Sequence, residues 1–179
     1  YDIICISETW LNNTVDNTAV QIPGFQIFRN DRNGGAGGGV AIYTKDTIPV
    51  RRRMDLECNE LEMITLEVTS QNKRFIIVCC YRAPGANARQ AQNFIDQLQG
   101  VVNDIIEDQP ESLFMLGDMN DRCISWEDDH RDSELGTKLL ALVNQNNLFQ
   151  IIDEPTHVSP NNASLLDIII TDSPGYVLS

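Results

Sequence analysis

Short apolar runs separated by turn residues fill the first half of the chain. They are rich in β-branched and aromatic residues, which is the pattern of strands in a folded sheet. A polar, glycine-rich loop is predicted between the second and third runs, and a hairpin connection at Gln71-Asn72-Lys73 between the last two. The predicted strands are Asp2–Ser7, Phe25–Phe28, Val40–Thr44, Leu61–Val68 and Phe75–Tyr81.

The apolar period changes to that of a helix in two later segments. Amphipathic helices are predicted from about residue 88 to 107, stopping before Pro110, and from about 133 to 146. Ser112–Gly117 and Leu165–Thr171 are predicted strands. Strands interrupted by two amphipathic helices predict one domain over residues 1–179, folded as a layered α/β sandwich with two central, mostly antiparallel sheets flanked by helices.

The charge balance limits the partners of this fold. The net charge is −13, from 13 Lys and Arg against 26 Asp and Glu, which counts against binding nucleic acid by charge alone. Positive charge is concentrated only at Arg51-Arg52-Arg53, which we interpret as a solvated strand end or turn, with a phosphate-contacting patch as the alternative. No run of about eighteen apolar residues exists, so no membrane span is predicted.

The cysteines indicate a reducing environment. Their number is odd, at five, and no C-x-x-C pair occurs. Cys79 and Cys80 adjoin within an apolar run, so they are expected to point to opposite faces of a strand as buried, reduced thiols. An intracellular location follows.

Three acidic residues lie beside separate apolar runs. Glu8 follows the first strand, Asp118 follows the Ser112–Gly117 strand, and Asp167 lies early in the last strand. Each alone is ordinarily a helix cap or a solvated turn, but together they favour a carboxylate site for a hard cation such as Mg²⁺, since buried carboxylates need a partner. Asn120, two residues after Asp118, is expected on the same face of an extended backbone.

Six segments, in order, resemble the endonuclease/exonuclease/phosphatase superfamily, and most of all the apurinic-endonuclease-like domains of non-LTR retrotransposons. The resemblance spans almost the whole chain. The segments are Ile4–Leu11 (containing E-T-W-L), Gly38–Tyr43 (G-G-V-A-I-Y), Cys80–Pro84 (containing Y-R-A-P), Leu116–Asn120 (containing G-D-M-N), Glu154–His157 (containing E-P-T) and Ser164–Ile169 (containing L-D-I-I).

The resemblance implies a role for each matching residue. Glu8 would coordinate the divalent cation, Mg²⁺ or Mn²⁺, and Tyr81 would contact the scissile phosphate. Asp118 would align or deprotonate the attacking water, while Asn120 would hydrogen-bond the phosphate. Asp167 would orient a catalytic histidine.

The resemblance further implies DNA contacts and a cellular setting. Thr156 and Arg82 would contact DNA. The implied reaction is metal-assisted hydrolysis of a phosphodiester, nicking target DNA to prime reverse transcription. The implied partners are DNA and a reverse transcriptase domain of the same polyprotein, in the nucleus.

Two parts of the superfamily pattern are not among these 179 residues. They are an asparagine on a strand upstream of Glu8 and a Ser-Asp-His triplet downstream of Asp167. His130 and His157 lie in other contexts and are expected in loops or on the surface. The domain is therefore expected to be incomplete at both ends, and the isolated chain to be catalytically impaired.

Several alternatives remain at this stage. The domain could act on RNA, inositol phosphates or abasic DNA, or be an inactive remnant that serves as a binding module. The glycines at 34–39 precede a strand rather than a helix, so they do not predict a nucleotide-binding loop. Trp10 and Trp126 are expected in core or rim packing, with base stacking as the alternative. Glu127-Asp128-Asp129 is interpreted as a solvated loop rather than a second metal site.

Overall fold

The computed structural model describes residues 1–34, 36–121, 133–160 and 162–177. Two α-helices and eleven strands lie in these ranges. The helices are α1 (Ala88–Glu107) and α2 (Glu134–Gln145). The strands are β1 (Ile3–Ser7), β2 (Phe25–Asn30), β3 (Val40–Lys45), β4 (Val50–Arg52), β5 (Glu62–Ser70), β6 (Lys73–Tyr81), β7 (Ser112–Asp118), β8 (Phe149–Gln150), β9 (His157–Ser159), β10 (Asn162–Ser164) and β11 (Asp167–Thr171).

Two sheets form the centre of the molecule. One has six strands in the order β4-β5-β6-β7-β11-β8, and the other has three in the order β1-β3-β2. The pairings are antiparallel except that of β6 with β7, which is parallel and has α1 as its crossover connection. The predicted layered α/β sandwich is confirmed.

Successive residues of β6 enter different cores. Cys79 and Tyr81 pack between the two sheets, against Val40 and Ile42 of β3. Cys80 points the other way, into the core that the six-stranded sheet shares with α1 and α2. The expected opposite orientation of Cys79 and Cys80 is confirmed, and both thiols are buried and free. Both helices therefore cover the same face of the larger sheet.

Side-chain caps determine where each helix begins. The Asn87 side chain accepts a hydrogen bond from the backbone N–H of Gln90, whose side chain accepts one from the backbone of Asn87. Ser133 caps α2 by accepting from the backbone N–H of Gly136. Both helices lie within one residue of their predicted bounds. Neither is long and apolar enough to cross a membrane.

The strands show more differences from the prediction. The hairpin between β5 and β6 has left-handed residues at Gln71 and Asn72, at φ 50° and 63°, as a two-residue turn requires. The last strand begins at Asp167 rather than at Leu165, and four strands of two or three residues, β4, β8, β9 and β10, were not predicted. Such short strands hold too few residues for a period of two to be recognised.

The basic run at residues 51–53 forms ion pairs with carboxylates of the same chain. Arg53 is buried and donates hydrogen bonds to Glu67 at 2.8 Å and to Asp108 at 3.1 Å. Arg74 joins this ion-pair cluster through Asp108, at 2.7 Å. The hydrogen bonds from Arg53 hold the pKa of Asp108 below its ordinary value. The solvated interpretation is therefore wrong for Arg53, because its charge is matched by carboxylates brought from β5 and the end of α1.

Replacing Arg53 tests how much this ion-pair cluster matters. Arg53→Met leaves Glu67 without its buried partner, so we expect the free energy of unfolding to fall by about 3 kcal/mol. Arg51→Met is the matched control, because the Arg51 side chain is 66% exposed and its pairing with Glu67 is worth less than about 1 kcal/mol. Urea denaturation measures both. Equal losses in the two variants would contradict the prediction.

Candidate active site

The predicted site residues meet at one edge of the sandwich. Tyr81 and Asp118 are the last residues of β6 and β7, which run in the same direction. Asp167 begins β11, which runs the other way, and it pairs directly with Asp118. Glu8 follows β1 in the smaller sheet. Four separate strands thus bring these residues together.

A hydrogen bond joins the two sheets at this edge. The Tyr81 hydroxyl donates to Oε1 of Glu8 at 2.6 Å. Burial, reinforced by this hydrogen bond and by the charge of Glu8, raises the pKa of Tyr81 to about 12. The phenol therefore remains protonated at neutral pH and acts as a donor. The guanidinium of Arg32 lies 5.6 Å from the centre of the Tyr81 ring, within cation–π range.

Asp118 is held by the turn that follows β7. Its Oδ1 accepts the backbone N–H of Asn120 at 2.7 Å, and its Oδ2 accepts the Asn120 side-chain amide at 3.1 Å. Asn120 has φ 48°, so the expected extended backbone between the two residues is wrong. The Asn120 amide nevertheless reaches the Asp118 carboxylate, because the turn curls back over the strand end.

Other carboxylates surround Asp118. Burial is the main cause that raises the pKa of Asp118, to about 6, and the nearby charges of Asp167 and Glu8 raise it further. The hydrogen bond from Asn120 and the charge of Arg82 act in the opposite direction. A carboxyl group with this pKa can accept a proton near neutral pH.

Arg82 holds the turn after β7 in place. Its Nε donates to the carbonyl of Met119 at 2.7 Å, and its guanidinium also donates to the carbonyl of Asn120 at 2.7 Å. The Asn120 side-chain amide in turn donates to the carbonyl of Arg82 at 2.8 Å. Arg82 thus has a structural task here, and its predicted contact with DNA stays a prediction.

Thr156 has a similar task for Asp167. Its hydroxyl oxygen accepts the backbone N–H groups of Leu166 and Asp167, at 3.1 and 3.0 Å. The Met119 N–H donates to the carbonyl of Leu166 at 2.9 Å, which ties the end of β7 to the start of β11. Thr156 therefore fixes the start of β11, while its predicted contact with the DNA backbone stays a prediction.

Three site residues have a backbone conformation that L-amino acids adopt rarely. Glu8, Trp10 and Asn120 have φ of 53°, 57° and 48°. Each such residue costs on the order of 1–3 kcal/mol, and such residues cluster at functional sites. Gln71, Asn72, Gln109 and Asn147 share this conformation in turns elsewhere, so the argument for the site rests on its side chains.

The part played by Gly117 was not predicted from the sequence. Its φ is 152°, and a Cβ atom there would lie 1.7 Å from the carbonyl oxygen of Cys80. Only glycine allows β7 to come so close to β6 immediately before Asp118. A glycine inside an apolar strand just before an acidic residue is the signal that could have revealed it.

The donor set fits a hard divalent cation in its chemistry. Glu8, Asp118 and Asp167 offer carboxylate oxygens, the ligands that Mg²⁺ prefers, and their mutual repulsion favours a positive ion between them. Among the described residues, no group of three or more carboxylate, histidine or cysteine side chains is already gathered at metal-binding distances. Glu8 is exposed to solvent and so remains accessible to an ion.

A cleft of about 350 Å³ opens next to this edge, beside Tyr81 and Arg82. It lies between the start of β5 and the first half of α1, and its lining includes Glu60, Gln90 and Phe94. Glu8, Asp118 and Asp167 do not line it. Glu8 and Asp167 are exposed and Asp118 is half-buried, so the three carboxylates are accessible from solvent outside this cleft.

Some sequence expectations concern residues away from this edge. His157 is exposed on β9, as expected for a surface position. Trp10 is 65% exposed, so it does not lie in the core, and its ring lies against Gly37, in agreement with the expected rim packing. Trp126, Glu127-Asp128-Asp129 and His130 lie outside the described residues.

A family model identifies the protein family to which the sequence belongs. The model for endonuclease-reverse transcriptase matches residues 75–177, a span that contains Tyr81, Asp118 and Asp167. The chain belongs to this family. The predicted membership of the endonuclease/exonuclease/phosphatase superfamily is confirmed. Membership supports a nuclease-type phosphodiesterase.

Solved structures share the fold at low sequence identity. The endonuclease domain of TRAS1, a telomere-specific non-LTR retrotransposon, is 18% identical with a TM-score of 0.71, over 94% of this chain and 71% of that one. The 3′ phosphatase NExo from Neisseria, bound to a product DNA hairpin, is 16% identical with a TM-score of 0.67, over 95% and 76%. Humanized TDP2 from D. rerio is 13% identical with a TM-score of 0.60, over 95% and 69%. No curated protein matches the sequence.

Replacing Gly117 tests the close approach of β6 and β7. Gly117→Ala forces its Cβ onto the Cys80 carbonyl, so we expect a loss of about 3 kcal/mol in the free energy of unfolding. Gly100→Ala is the matched control, since it lies in α1 with nothing within 4 Å and should stabilise the helix by up to about 1 kcal/mol. Urea denaturation measures both. A Gly117→Ala protein as stable as the parent would show that the strands can separate at no cost.

Proposed function

We propose that this domain is a divalent-metal-dependent DNA endonuclease, which nicks target DNA to prime reverse transcription within a retrotransposon polyprotein. The observation that carries the proposal is the meeting of Glu8, Tyr81, Asp118 and Asp167 at one open edge, in a chain of the endonuclease-reverse transcriptase family. The structural likeness to the TRAS1 endonuclease domain supports it. A chromosomal substrate implies that the domain works in the nucleus.

Each residue at this edge has a different role in the proposed hydrolysis. Asp118 accepts the proton of the attacking water, for which its raised pKa of about 6 is suited. Asn120 donates its two amide hydrogens to the Asp118 carboxylate and to the Arg82 carbonyl, and one of these hydrogen bonds would be exchanged for one to a phosphate oxygen. Tyr81 stays protonated and directs its hydroxyl toward Glu8, beside the position of the phosphate.

The predicted cation would bind among the same residues. Glu8 would hold Mg²⁺ or Mn²⁺, with the charges of Asp118 and Asp167 close by. When bound, the ion would supply positive charge that stabilises the phosphate and the leaving oxygen. Asp167 is fixed through the hydroxyl of Thr156, which keeps its carboxylate at the head of β11.

Charge elsewhere on the molecule adds little to DNA binding. Most of the basic side chains that the structure describes are already paired with carboxylates of the same chain. The paired residues are Arg29, Arg32, Lys45, Arg51, Arg52, Arg53, Lys73, Arg74 and Lys138. With a net charge of −13, the domain must rely on its cation and on close, non-ionic contacts.

Replacing Asp118 tests the catalytic proposal. In the longest open reading frame that contains this chain, Asp118→Asn removes the proton acceptor and is expected to slow Mg²⁺-dependent nicking of supercoiled plasmid at least about 100-fold. Asp104→Asn is the matched control, an exposed aspartate on α1, and should nick at the parental rate. Gel separation of nicked from supercoiled plasmid gives the rate.

Three results would count against the catalytic proposal. One is nicking that continues in EDTA, and another is Asp118→Asn nicking as fast as Asp104→Asn. The third is a parent protein that hydrolyses a soluble phosphate ester or RNA but leaves DNA intact, which would move the substrate to another branch of the superfamily.

The scarcity of unpaired cations predicts weak salt dependence. We expect the plot of log affinity against log salt, for a labelled duplex between about 50 and 200 mM KCl, to have a slope no steeper than about −3, because few phosphates are neutralised. Fluorescence anisotropy measures it. A slope near −6 would show that a basic surface binds the duplex after all.

A further inference from the structure

Trp10 is a large apolar side chain left in solvent beside the candidate active site. It is 65% exposed and lies two residues after Glu8, beyond the end of β1. Two residues of chain span at most about 7 Å. Successive bases along one DNA strand are about 3.4 Å apart, so the backbone of Trp10 lies within about two nucleotide steps of the backbone of Glu8.

The backbone around Trp10 is held firmly. The N–H groups of Thr9 and Trp10 donate to the carbonyls of Gly39 and Gly38, at 3.2 and 3.0 Å. Gly39 is held in turn, because its N–H donates to Oε2 of Glu62 at 2.6 Å. The backbone that carries the indole is therefore ordered before any ligand arrives, which lowers the entropy lost on binding.

The indole ring rests on the glycine loop. A Cβ atom at Gly37 would lie 3.6 Å from the ring atoms Cε2 and Cζ2, so the ring passes directly over this glycine. With support from the protein on one side and 65% of the residue exposed, the ring has surface left for a flat partner. Nucleic-acid bases are such partners, and they stack on aromatic side chains with little regard for sequence.

We propose that Trp10 stacks on an unpaired base close to the phosphate that the cation at Glu8 would hold. The inference rests on the proposed function, since it requires DNA at this edge. Stacking on Trp10 would be one of the non-ionic contacts with DNA that the domain needs, because the domain is acidic and most of its described arginines are paired with carboxylates. A base inside an intact duplex has no free face, so the contact favours DNA with a displaced base.

The test combines spectroscopy with affinity. In a Trp126→Phe background of the 179-residue chain, Trp10 is the only tryptophan, and its fluorescence is expected to be quenched on adding a duplex with one unpaired base. By anisotropy, Trp10→Leu should weaken binding of that DNA about tenfold while leaving a fully paired duplex unchanged. Trp10→Phe, which keeps an aromatic ring, should recover most of the affinity.

Phe149→Leu is the matched control. Phe149 is also an exposed aromatic residue, but it pairs with Thr171 at the opposite end of β11 from Asp167. This variant should bind both DNAs as the parent does. Thermal unfolding confirms that each variant is folded.

The outcomes separate the two proposals. Binding of DNA with unchanged Trp10 fluorescence, or equal weakening for both DNAs in Trp10→Leu, overturns the stacking contact and leaves the proposed function standing. Failure of the parent chain to bind either DNA, in the presence of Mg²⁺ or Ca²⁺, overturns the proposed function together with the stacking contact.

Discussion

The parallel pairing of β6 with β7 is the constraint on which the candidate site depends. Because the two strands run the same way, Tyr81 and Asp118 finish at the same edge. Antiparallel β11 then begins there with Asp167, opposite Asp118. Gly117 permits the close contact with Cys80 that brings the two strand ends together. The smaller sheet adds Glu8, joined to Tyr81 by the one hydrogen bond described between their side chains.

Around this edge, residues that hold the backbone in place support the residues proposed to take part in hydrolysis. Arg82 binds the carbonyls of the turn after β7, and Thr156 binds the N–H groups at the head of β11. Both were predicted to contact DNA because they lie in segments that resemble the superfamily. Two proteins can share a sequence segment because its residues hold a loop in its conformation, or because they contact the substrate. Sequence resemblance alone does not distinguish these two reasons.

The parts that sequence could predict are those with strong local signals. The apolar periods of α1 and α2, with Pro110 after the first, located both helices, and apolar runs located the main strands. Glu8, Asp118 and Asp167 were recognised because carboxylates beside apolar runs are costly. Two of the three carboxylate partners of Arg53 lie 14 and 55 positions away, and the Trp10 N–H donates to the Gly38 carbonyl in the glycine loop. Such long-range contacts leave no local pattern.

The internal pairing of the arginines has a consequence for how such a domain would find its cutting site. A protein slides along DNA when many loosely held cations follow the phosphates from one position to the next. Here Arg53 and Arg74 are bound to Glu67 and Asp108 instead. On DNA, such a domain would reach each site by a separate collision rather than by sliding along the duplex. Long stretches of unsuitable sequence would therefore not hold it, and its carboxylates would rarely contact them.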